Sequence, residues 1–219
     1  MNMHTIRPSR RAFLAGSGLI IGVALAPGAF ARGLTKGDPA DVQGPHQDFN
    51  AFVRIAPDGT VTVLSKHLEM GQGPYTGLTT LVAEEIDADW SQMRAAAAPA
   101  DDDIYKNLAF GLQGTGGSTS IANSWEQLRK AGATARAMLV AAAADEWGVP
   151  ADEISVSKGR ISHTGTGKES GFGELADKAA TMEPPAEPKL KDPKDFVLIG
   201  KDRPRLDTPS KVNGTAVFT

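Results

Sequence analysis

The chain has 219 residues, of which 41% are hydrophobic and 22% charged, which suits one domain with an appendage and excludes a wholly disordered chain. The formal net charge of −3 argues against a nucleic-acid-binding surface. The chain contains no cysteine, so it cannot by itself form a disulfide, a thiolate zinc site or a cysteine-ligated iron–sulfur cluster.

The N-terminus, residues 1–31, has the pattern of an export signal. Three arginines precede an apolar run over residues 12–26, and a small-residue cleavage site ends at Ala31. The run is shorter than the ~20 apolar residues of a membrane span. Residues 9–14, Ser-Arg-Arg-Ala-Phe-Leu, match the twin-arginine motif, with an ordinary secretory signal or an uncleaved anchor as alternatives. We therefore expect a periplasmic protein and, because that pathway carries folded proteins, a complex cofactor.

The next segments read as a leader followed by alternating strand and helix. Residues 32–50 are rich in Gly, Pro and Asp and predict an extended leader. Two β-branched runs, residues 52–55 and 61–64, flank a Pro-Asp-Gly turn and predict a β-hairpin. A proline followed by apolar residues at helical spacing predicts a helix over residues 74–86. Residues 101–111 are predicted to be irregular.

The remainder of the chain predicts further helices, a hairpin and strands. In order, these are a helix over residues 124–147 ended by Gly148, a hairpin of residues 154–157 and 160–163, a helix over 172–180, a proline-rich linker over 182–193, a strand over 196–199 and another beginning near Val212. We predict an α+β fold, with short β-hairpins and two main helices that follow glycine-rich loops. The predicted division is a signal peptide (1–31), a leader (32–50), an α+β domain (51–181) and a linker with the start of a further domain (182–219).

Two glycine-rich loops, residues 69–73 and 113–120, each lead into a predicted helix start. Unpaired N–H groups at a helix N-terminus attract anions, and glycine lets a phosphate approach the backbone. The pair therefore predicts a phosphate site, with tight turns and helix caps as the alternative. Neither loop holds the lysine of a P-loop nucleotidase. The candidate binding residues are Gly71, Gln72, Gly73, Thr115, Gly116, Gly117, Ser118, Thr119 and Ser120.

Four stretches of the chain resemble one family. Residues 67–85 contain His-Leu-Glu-Met-Gly-Gln-Gly and Val-Ala-Glu-Glu, and residues 114–133 contain Gly-Thr-Gly-Gly-Ser-Thr-Ser. With residues 191–196 and 205–214, they resemble the xanthine oxidase (molybdenum hydroxylase) family. The closest resemblance is to the N-terminal part of the molybdopterin-binding large subunit of the isoquinoline 1-oxidoreductase and aldehyde dehydrogenase type. The resemblance implies a fold like part of a molybdopterin-binding domain.

The resemblance also implies a cofactor and roles for particular residues. The cofactor would be molybdenum–molybdopterin, often extended as a cytosine dinucleotide, with its phosphates and pterin held by Gln72 and residues 115–120. No catalytic or metal-ligating residue is assigned to this chain, because the family's glutamate base lies far downstream. Glu69 is expected to point away from a phosphate, to a backbone N–H or an arginine, and His67 is expected to be a structural hydrogen-bond donor.

The implied function is the cofactor-binding portion of a periplasmic enzyme. That enzyme would oxidise an aldehyde or N-heterocycle with oxygen from water, and the isolated chain would be inactive. The implied partners are the remaining large-subunit segment, a [2Fe-2S] small subunit and a cytochrome c, with no nucleic acid and membrane contact only through partners. Two alternatives are a non-catalytic fragment that binds phosphate or a dinucleotide, and a truncated product.

Overall fold

The computed structural model describes residues 45–216. The predicted signal peptide and most of the predicted leader lie outside the described residues. Among the described helices, none combines the length and the apolar character that a bilayer crossing requires.

The first sheet has four strands in the order β1-β2-β3-β4: β1 (Gln47–Asn50), β2 (Val53–Ile55), β3 (Val61–Ser65) and β4 (Met93–Ala97). The predicted hairpin is confirmed as the antiparallel β2–β3 pair, and β1 occupies the last residues of the segment predicted as leader. β4 runs parallel to β3. Its Met-Arg-Ala-Ala-Ala sequence has few of the β-branched residues that signal a strand, so it was not predicted.

Three helices follow in the chain: α1 (Pro74–Ile86), α2 (Asp102–Tyr105) and α3 (Ser120–Trp147). The predicted helix over residues 74–86 is confirmed, and α1 forms the crossover between β3 and β4. α3 begins four residues earlier than predicted and ends at Gly148 as predicted. The prediction of an irregular segment over residues 101–111 is wrong where α2 forms, because the Asp101 carboxylate caps its first N–H groups.

α1 and α3 cross at very short distance. A Cβ added at Gly132 of α3 would lie 2.6 Å from the carbonyl oxygen of Val82 in α1. Glycine is therefore required where the two backbones meet. This crossing fixes the start of α3 relative to the start of α1, and those two helix starts are the places where the glycine-rich loops end.

The second sheet is antiparallel and has three strands: β5 (Ile154–Ser157), β6 (Arg160–His163) and β7 (Lys168–Gly171). The predicted hairpin is confirmed as β5–β6, whereas β7, with its polar Lys-Glu-Ser-Gly sequence, was not predicted. Helix α4 (Phe172–Ala179) follows directly and confirms the predicted helix.

Two strands predicted in the C-terminal region are wrong. In place of a strand over residues 196–199, three successive backbone N–H groups donate to the buried carboxylate of Glu84. These donors serve a side chain and leave no ladder for a neighbouring strand. In place of a strand near Val212, the chain forms α5 (Thr208–Asn213), which Gly214 ends in the left-handed conformation.

The proline-rich segment over residues 182–193 is held against the helices. The Lys189 carbonyl accepts from Arg136 of α3 at 3.0 Å. The Lys191 N–H donates to Glu85 of α1 at 2.9 Å, and the Lys191 ammonium bonds to Glu84 at 3.1 Å. This segment therefore packs on the domain.

The hydrophobic core lies between the first sheet, α1, α3 and α4. Its largest fully buried apolar side chains are Phe49, Ile55, Leu78, Ile86, Met93, Leu128, Met138, Leu139, Ile161, Phe172 and Leu175. The mixture of two small sheets with packed helices confirms the predicted α+β class. The core leaves both glycine-rich loops at one edge of the sheet, beyond the end of β3.

Candidate functional site

The first glycine loop, residues 69–73, closes on its own carboxylate. One oxygen of Glu69 accepts from the N–H of Gly71 at 2.7 Å and from the N–H of Gly73 at 3.1 Å. Its other oxygen accepts from the N–H of Tyr75, in the first turn of α1, at 3.3 Å. Glu69 therefore takes the place at this helix N-terminus that a bound anion would occupy.

Two cations from the C-terminal segment bind the same carboxylate. The Arg205 guanidinium lies 3.1 Å and the Lys211 ammonium 3.3 Å from Glu69, and both also pair with Asp207. Burial by itself raises the pKa of Glu69, but the hydrogen bonds from Gly73, Gly71, Lys211 and Tyr75 outweigh it and lower the pKa. The expectation that Glu69 points to backbone N–H groups and an arginine is confirmed.

Gln72 is exposed and bonded within the first loop. Its Oε1 accepts from the N–H of Met70 at 2.7 Å, and its Nε2 donates to the carbonyl of Leu68 at 2.9 Å. Gly71 and Gly73 have φ angles of 108° and 93°, which side chains rarely tolerate. The first loop is thus a closed turn. The assignment of Gly71, Gln72 and Gly73 as cofactor-binding residues stays a prediction.

The second glycine loop lies beside the first and is shaped by partly buried side-chain hydrogen bonds. The N–H of Leu68 donates to the Thr115 hydroxyl at 2.8 Å, which joins the two loops. The Asn107 carboxamide donates to the Gly114 carbonyl at 3.3 Å and to the Thr119 hydroxyl at 2.8 Å. The Thr119 hydroxyl in turn donates to the Gly116 carbonyl at 2.8 Å. The Thr115 and Thr119 side chains therefore shape the loop.

The backbone donors of the second loop are open. Within residues 45–216, five successive N–H groups, from Gly114 to Ser118, make no hydrogen bond. Gly117 and Ser118 have φ angles of 59° and 55°. The loop leads into α3, whose N-cap residue Thr119 makes no side-chain cap and whose first turn contains no acid. These features leave an uncompensated positive potential where the candidate residues Thr115 to Ser120 lie.

A cleft of about 480 Å³ opens beside this loop. Gly114 and Thr115 lie on one side of it, and Asp101 and Asp102 line it as well. Both carboxylates are already bonded to backbone, Asp101 to the first N–H groups of α2 and Asp102 to the N–H of Gln113. The cleft therefore offers a ligand the backbone N–H groups of Gly114 and Thr115, whereas its two carboxylates already accept hydrogen bonds from the backbone.

His67, expected to be a structural donor, faces two acceptors inside the fold. Its ring is buried beside the Asn123 carboxamide and the Gly114 carbonyl, and hydrogen bonding to both raises its pKa against the larger effect of burial. Neither ring nitrogen has a partner in good hydrogen-bond geometry within the described residues, so these bonds are weak. Burial is the largest cause that lowers the pKa of His67, and the Lys66 charge lowers it further, so the neutral ring is favoured.

Sequence reasoning missed three functional side chains. Asn107 shapes the open loop, and no local signal marks it. Glu84, which holds the 197–199 backbone, lies in the Val-Ala-Glu-Glu stretch, where two adjacent acids on a helix were a usable signal. Lys66 was also missed, although a lysine three residues before a glycine-rich loop could have been considered.

Comparison with known proteins assigns the family. The model of the molybdopterin cofactor-binding domain matches residues 1–212. The chain belongs to this molybdenum hydroxylase family. It is 36% identical to the isoquinoline 1-oxidoreductase beta subunit of Brevundimonas diminuta over 98% of the chain. It is 34% identical to the membrane-bound aldehyde dehydrogenase (pyrroloquinoline-quinone) of Gluconacetobacter polyoxogenes over 96% of the chain.

The relatives are much longer than this chain. The molybdopterin-binding chain spans 32% of the isoquinoline relative and 27% of the aldehyde dehydrogenase. It is also 28% identical to a nicotinate dehydrogenase of Pseudomonas putida, spanning 18% of that protein. The match to the crystal structure of quinoline 2-oxidoreductase from Pseudomonas putida 86 covers 66% of this chain and 19% of the quinoline 2-oxidoreductase chain, with a TM-score of 0.42 and 21% identity. That overlap is too low to carry an argument, so the family rests on the sequence matches.

Proposed function

We propose that this chain is the cofactor-binding portion of a periplasmic molybdenum hydroxylase and that its second glycine loop binds the phosphate end of molybdopterin. The observation that carries the proposal is the row of five unpaired N–H groups from Gly114 to Ser118 beside the uncapped start of α3. Such a site supplies the donor type and the positive helix end that favour a phosphate. The residues present therefore fit the cofactor that the family implies.

The chain's own residues would hold and orient the cofactor. The backbone N–H groups of residues 114–118 would donate to phosphate oxygens, and the hydroxyls of Ser118 and Ser120, which make no hydrogen bond within the described residues, would add two donors. Gln72 would reach the pterin only after leaving its bonds to Met70 and Leu68. When bound, the molybdenum centre supplies the oxidative hydroxylation of an aldehyde or N-heterocycle with oxygen from water.

The enzyme that contains this domain would need further components. We propose as partners the remaining large-subunit segment, a [2Fe-2S] small subunit and a cytochrome c. The cysteine-free chain cannot supply thiolate ligands for a cluster itself. The cytosine dinucleotide is the proposed form of the cofactor. The isolated chain would be inactive, so turnover of an aldehyde or azaheterocycle by this chain alone would contradict the proposal.

Cofactor content tests the phosphate site. Gly117→Val places a branched side chain at a φ of 59° in the open loop, where it is strained and obstructs a phosphate. Gly148→Val is the matched control, since Gly148 has a φ of 68° and ends α3 far from the loop. We expect molybdenum and pterin per mole of purified complex to fall at least about tenfold for Gly117→Val and to be unchanged for Gly148→Val. Equal content in both would mean that the loop is an ordinary turn.

Export is tested separately. Replacing Arg10 and Arg11 by lysine keeps the charge of the N-terminal segment but removes the twin-arginine motif. We expect the periplasmic yield to collapse. An unchanged yield would favour an ordinary secretory signal, the alternative drawn from the same residues.

A further inference from the structure

A buried lysine lies beneath the open loop with no acid to balance it. Lys66 is 2% exposed and directly follows β3, three residues before the first glycine loop. Its ammonium donates to the Gln127 carboxamide at 2.7 Å and to the Lys106 carbonyl at 3.3 Å. One of its three N–H donors therefore has no partner within the described residues. An ammonium buried in this way is costly unless a negative charge comes near it.

The surroundings of Lys66 add to its positive charge. Gln127 lies in the second turn of α3, so the ammonium sits near the positive end of that helix. Lys66 lines the cleft together with Gly114 and Thr115 of the open loop. Asp101 and Asp102 line the same cleft, but within the described residues neither forms an ion pair with Lys66, and burial alone shifts the pKa of Lys66.

A second feature of the same place is a loosely bonded buried histidine. His67, which follows Lys66, is 1% exposed, and neither of its ring nitrogens has a partner in good hydrogen-bond geometry within the described residues. Its ring faces the Gly114 carbonyl at the entrance to the open loop and the Asn123 carboxamide in the first turn of α3, and hydrogen bonding to both raises the pKa of His67 against the larger effect of burial. The polar groups beside Lys66 are therefore paired with one another only weakly, which suits a place where a polar ligand can approach.

We propose that Lys66 is a binding residue for the anion held at the second glycine loop, and that it supplies the buried positive charge of that site. The proposal rests on the proposed function and adds a residue to it. The backbone donors of residues 114–118 would fix the position of a phosphate group, and the Lys66 ammonium would balance part of its negative charge. The ligand class is a tetrahedral oxyanion, carried by the cofactor or free in solution.

The charge of Lys66 makes the site sensitive to pH. Burial lowers the pKa of Lys66 to about 8. The titratable groups that adjoin it or share its cleft are His67, Asp101, Asp102 and Lys106, and burial rather than any of these charges causes the shift. A bound anion favours the ammonium, so binding raises the pKa and takes up protons near pH 8. The affinity for an anion of constant charge is therefore expected to fall as the pH rises through about 8.

The test uses the full chain and sulfate, a tetrahedral dianion whose charge is constant over this range. Nuclear magnetic resonance follows the Cε signal of Lys66 during a pH titration with and without sulfate, and sulfate affinity is measured for the variants. We expect sulfate to raise the pKa of Lys66. We expect Lys66→Met to weaken sulfate binding about 10- to 100-fold and Lys66→Arg to restore most of it. Lys106→Met is the matched control, because only the carbonyl of Lys106 is used.

The outcomes separate the two proposals. If Gly117→Val abolishes sulfate binding while Lys66→Met and the Lys66 titration are unaffected, the open loop is an anion site but the role of Lys66 is overturned. If the wild-type chain binds no sulfate at a site that depends on Gly117, both proposals are overturned. If the purified complex loses molybdopterin with Lys66→Met but not with Lys106→Met, the ligand of Lys66 is the cofactor. If cofactor content is equal while sulfate affinity differs, the ligand is a free oxyanion.

Discussion

The two glycine-rich loops both lead into a helix and lie side by side, yet among the described residues only the second has backbone donors open to an anion. The first loop donates its N–H groups to Glu69, a carboxylate of the same chain that Arg205 and Lys211 also bind. The second loop, residues 114–118, offers N–H groups without a partner among the described residues and leads into a helix without an acidic first turn. A glycine loop at a helix start therefore shows that an anion is favoured there, but not whether the protein supplies it.

The difference gives the loops different tasks. The first loop is held rigid by ion pairs to the C-terminal segment, and it presents Gln72 from a fixed backbone. The second loop is shaped from below by Asn107 and keeps its donors for a ligand. Because the Leu68 N–H bonds to the Thr115 hydroxyl, the contacts that hold the first loop also help to position the second.

Removing the Glu69 carboxylate, which is the anion of the first loop, is expected to have the largest effect on stability. Glu69→Ala leaves three backbone N–H groups, Arg205 and Lys211 without their acceptor. We expect the free energy of unfolding to fall by about 2–3 kcal/mol in chemical denaturation. Glu126→Ala is the control, because Glu126 is exposed and pairs only with Lys130 along α3, and it should change stability by less than about 0.5 kcal/mol. Equal losses would mean that the first loop does not depend on its carboxylate.

Acid is expected to weaken the ion pairs that hold the C-terminal segment against the first loop. Burial by itself raises the pKa of Asp207, but its bonds to Arg205 and Lys211 outweigh this and lower the pKa to about 2. Because the pKa of Asp207 is lower in the folded than in the unfolded chain, its ionised carboxylate stabilises the folded chain at a pH above 3.8. This stability is lost as the pH falls from 3.8 to about 2. Asp207→Asn should flatten the loss of stability in this range, whereas Asp103→Asn, an exposed control, should not. Identical acid profiles for wild type and Asp207→Asn would exclude this coupling.

The elements that sequence reasoning located have strong local signals. The β2–β3 hairpin is marked by Pro-Asp-Gly, α1 by a proline at its first position and the end of α3 by Gly148. β4 pairs in parallel through alanines, and residues 197–199 bond to Glu84 more than 110 positions earlier in the chain. Partners so distant in sequence leave no local pattern, which is why one strand was missed and another wrongly predicted.

The same distance limits prediction of the site. Both loops and the anion-binding potential were found from glycines at helix starts, and the direction of Glu69 followed from charge repulsion. That the first loop is closed depends on Arg205, 136 residues away, and on Lys211, 142 residues away. The surroundings of Lys66 and His67 depend on residues far along the chain, Gln127 and Asn123 of α3. None of these contacts could be predicted without the fold.

Removing the Asn107 carboxamide, which supports the second loop, is expected to have an intermediate effect on stability. Asn107 is fully buried, and its carboxamide bonds to Gly114, Thr119 and Ala109. Asn107→Ala should lower the free energy of unfolding by about 1–2 kcal/mol and weaken sulfate binding as well, because the loop loses its shape. Asn213→Ala, at the exposed end of α5, should change neither. If Asn107→Ala destabilises the chain without affecting sulfate, the backbone of the second loop is positioned by other contacts.

Giving the second loop its own anion is expected to have the smallest effect on stability and the opposite sign. Ser120 is the first residue of α3, where an acidic side chain meets the positive end of the helix. Ser120→Asp should therefore raise the free energy of unfolding by about 0.3–1 kcal/mol, and it should weaken sulfate binding because the new carboxylate takes the donors and repels the dianion. Ser120→Asn has nearly the same size without the charge and should do neither. If Ser120→Asp is more stable and binds sulfate more weakly, the second loop has become like the first, with an anion supplied by the chain itself. If its sulfate affinity is unchanged, the anion does not lie at the start of α3.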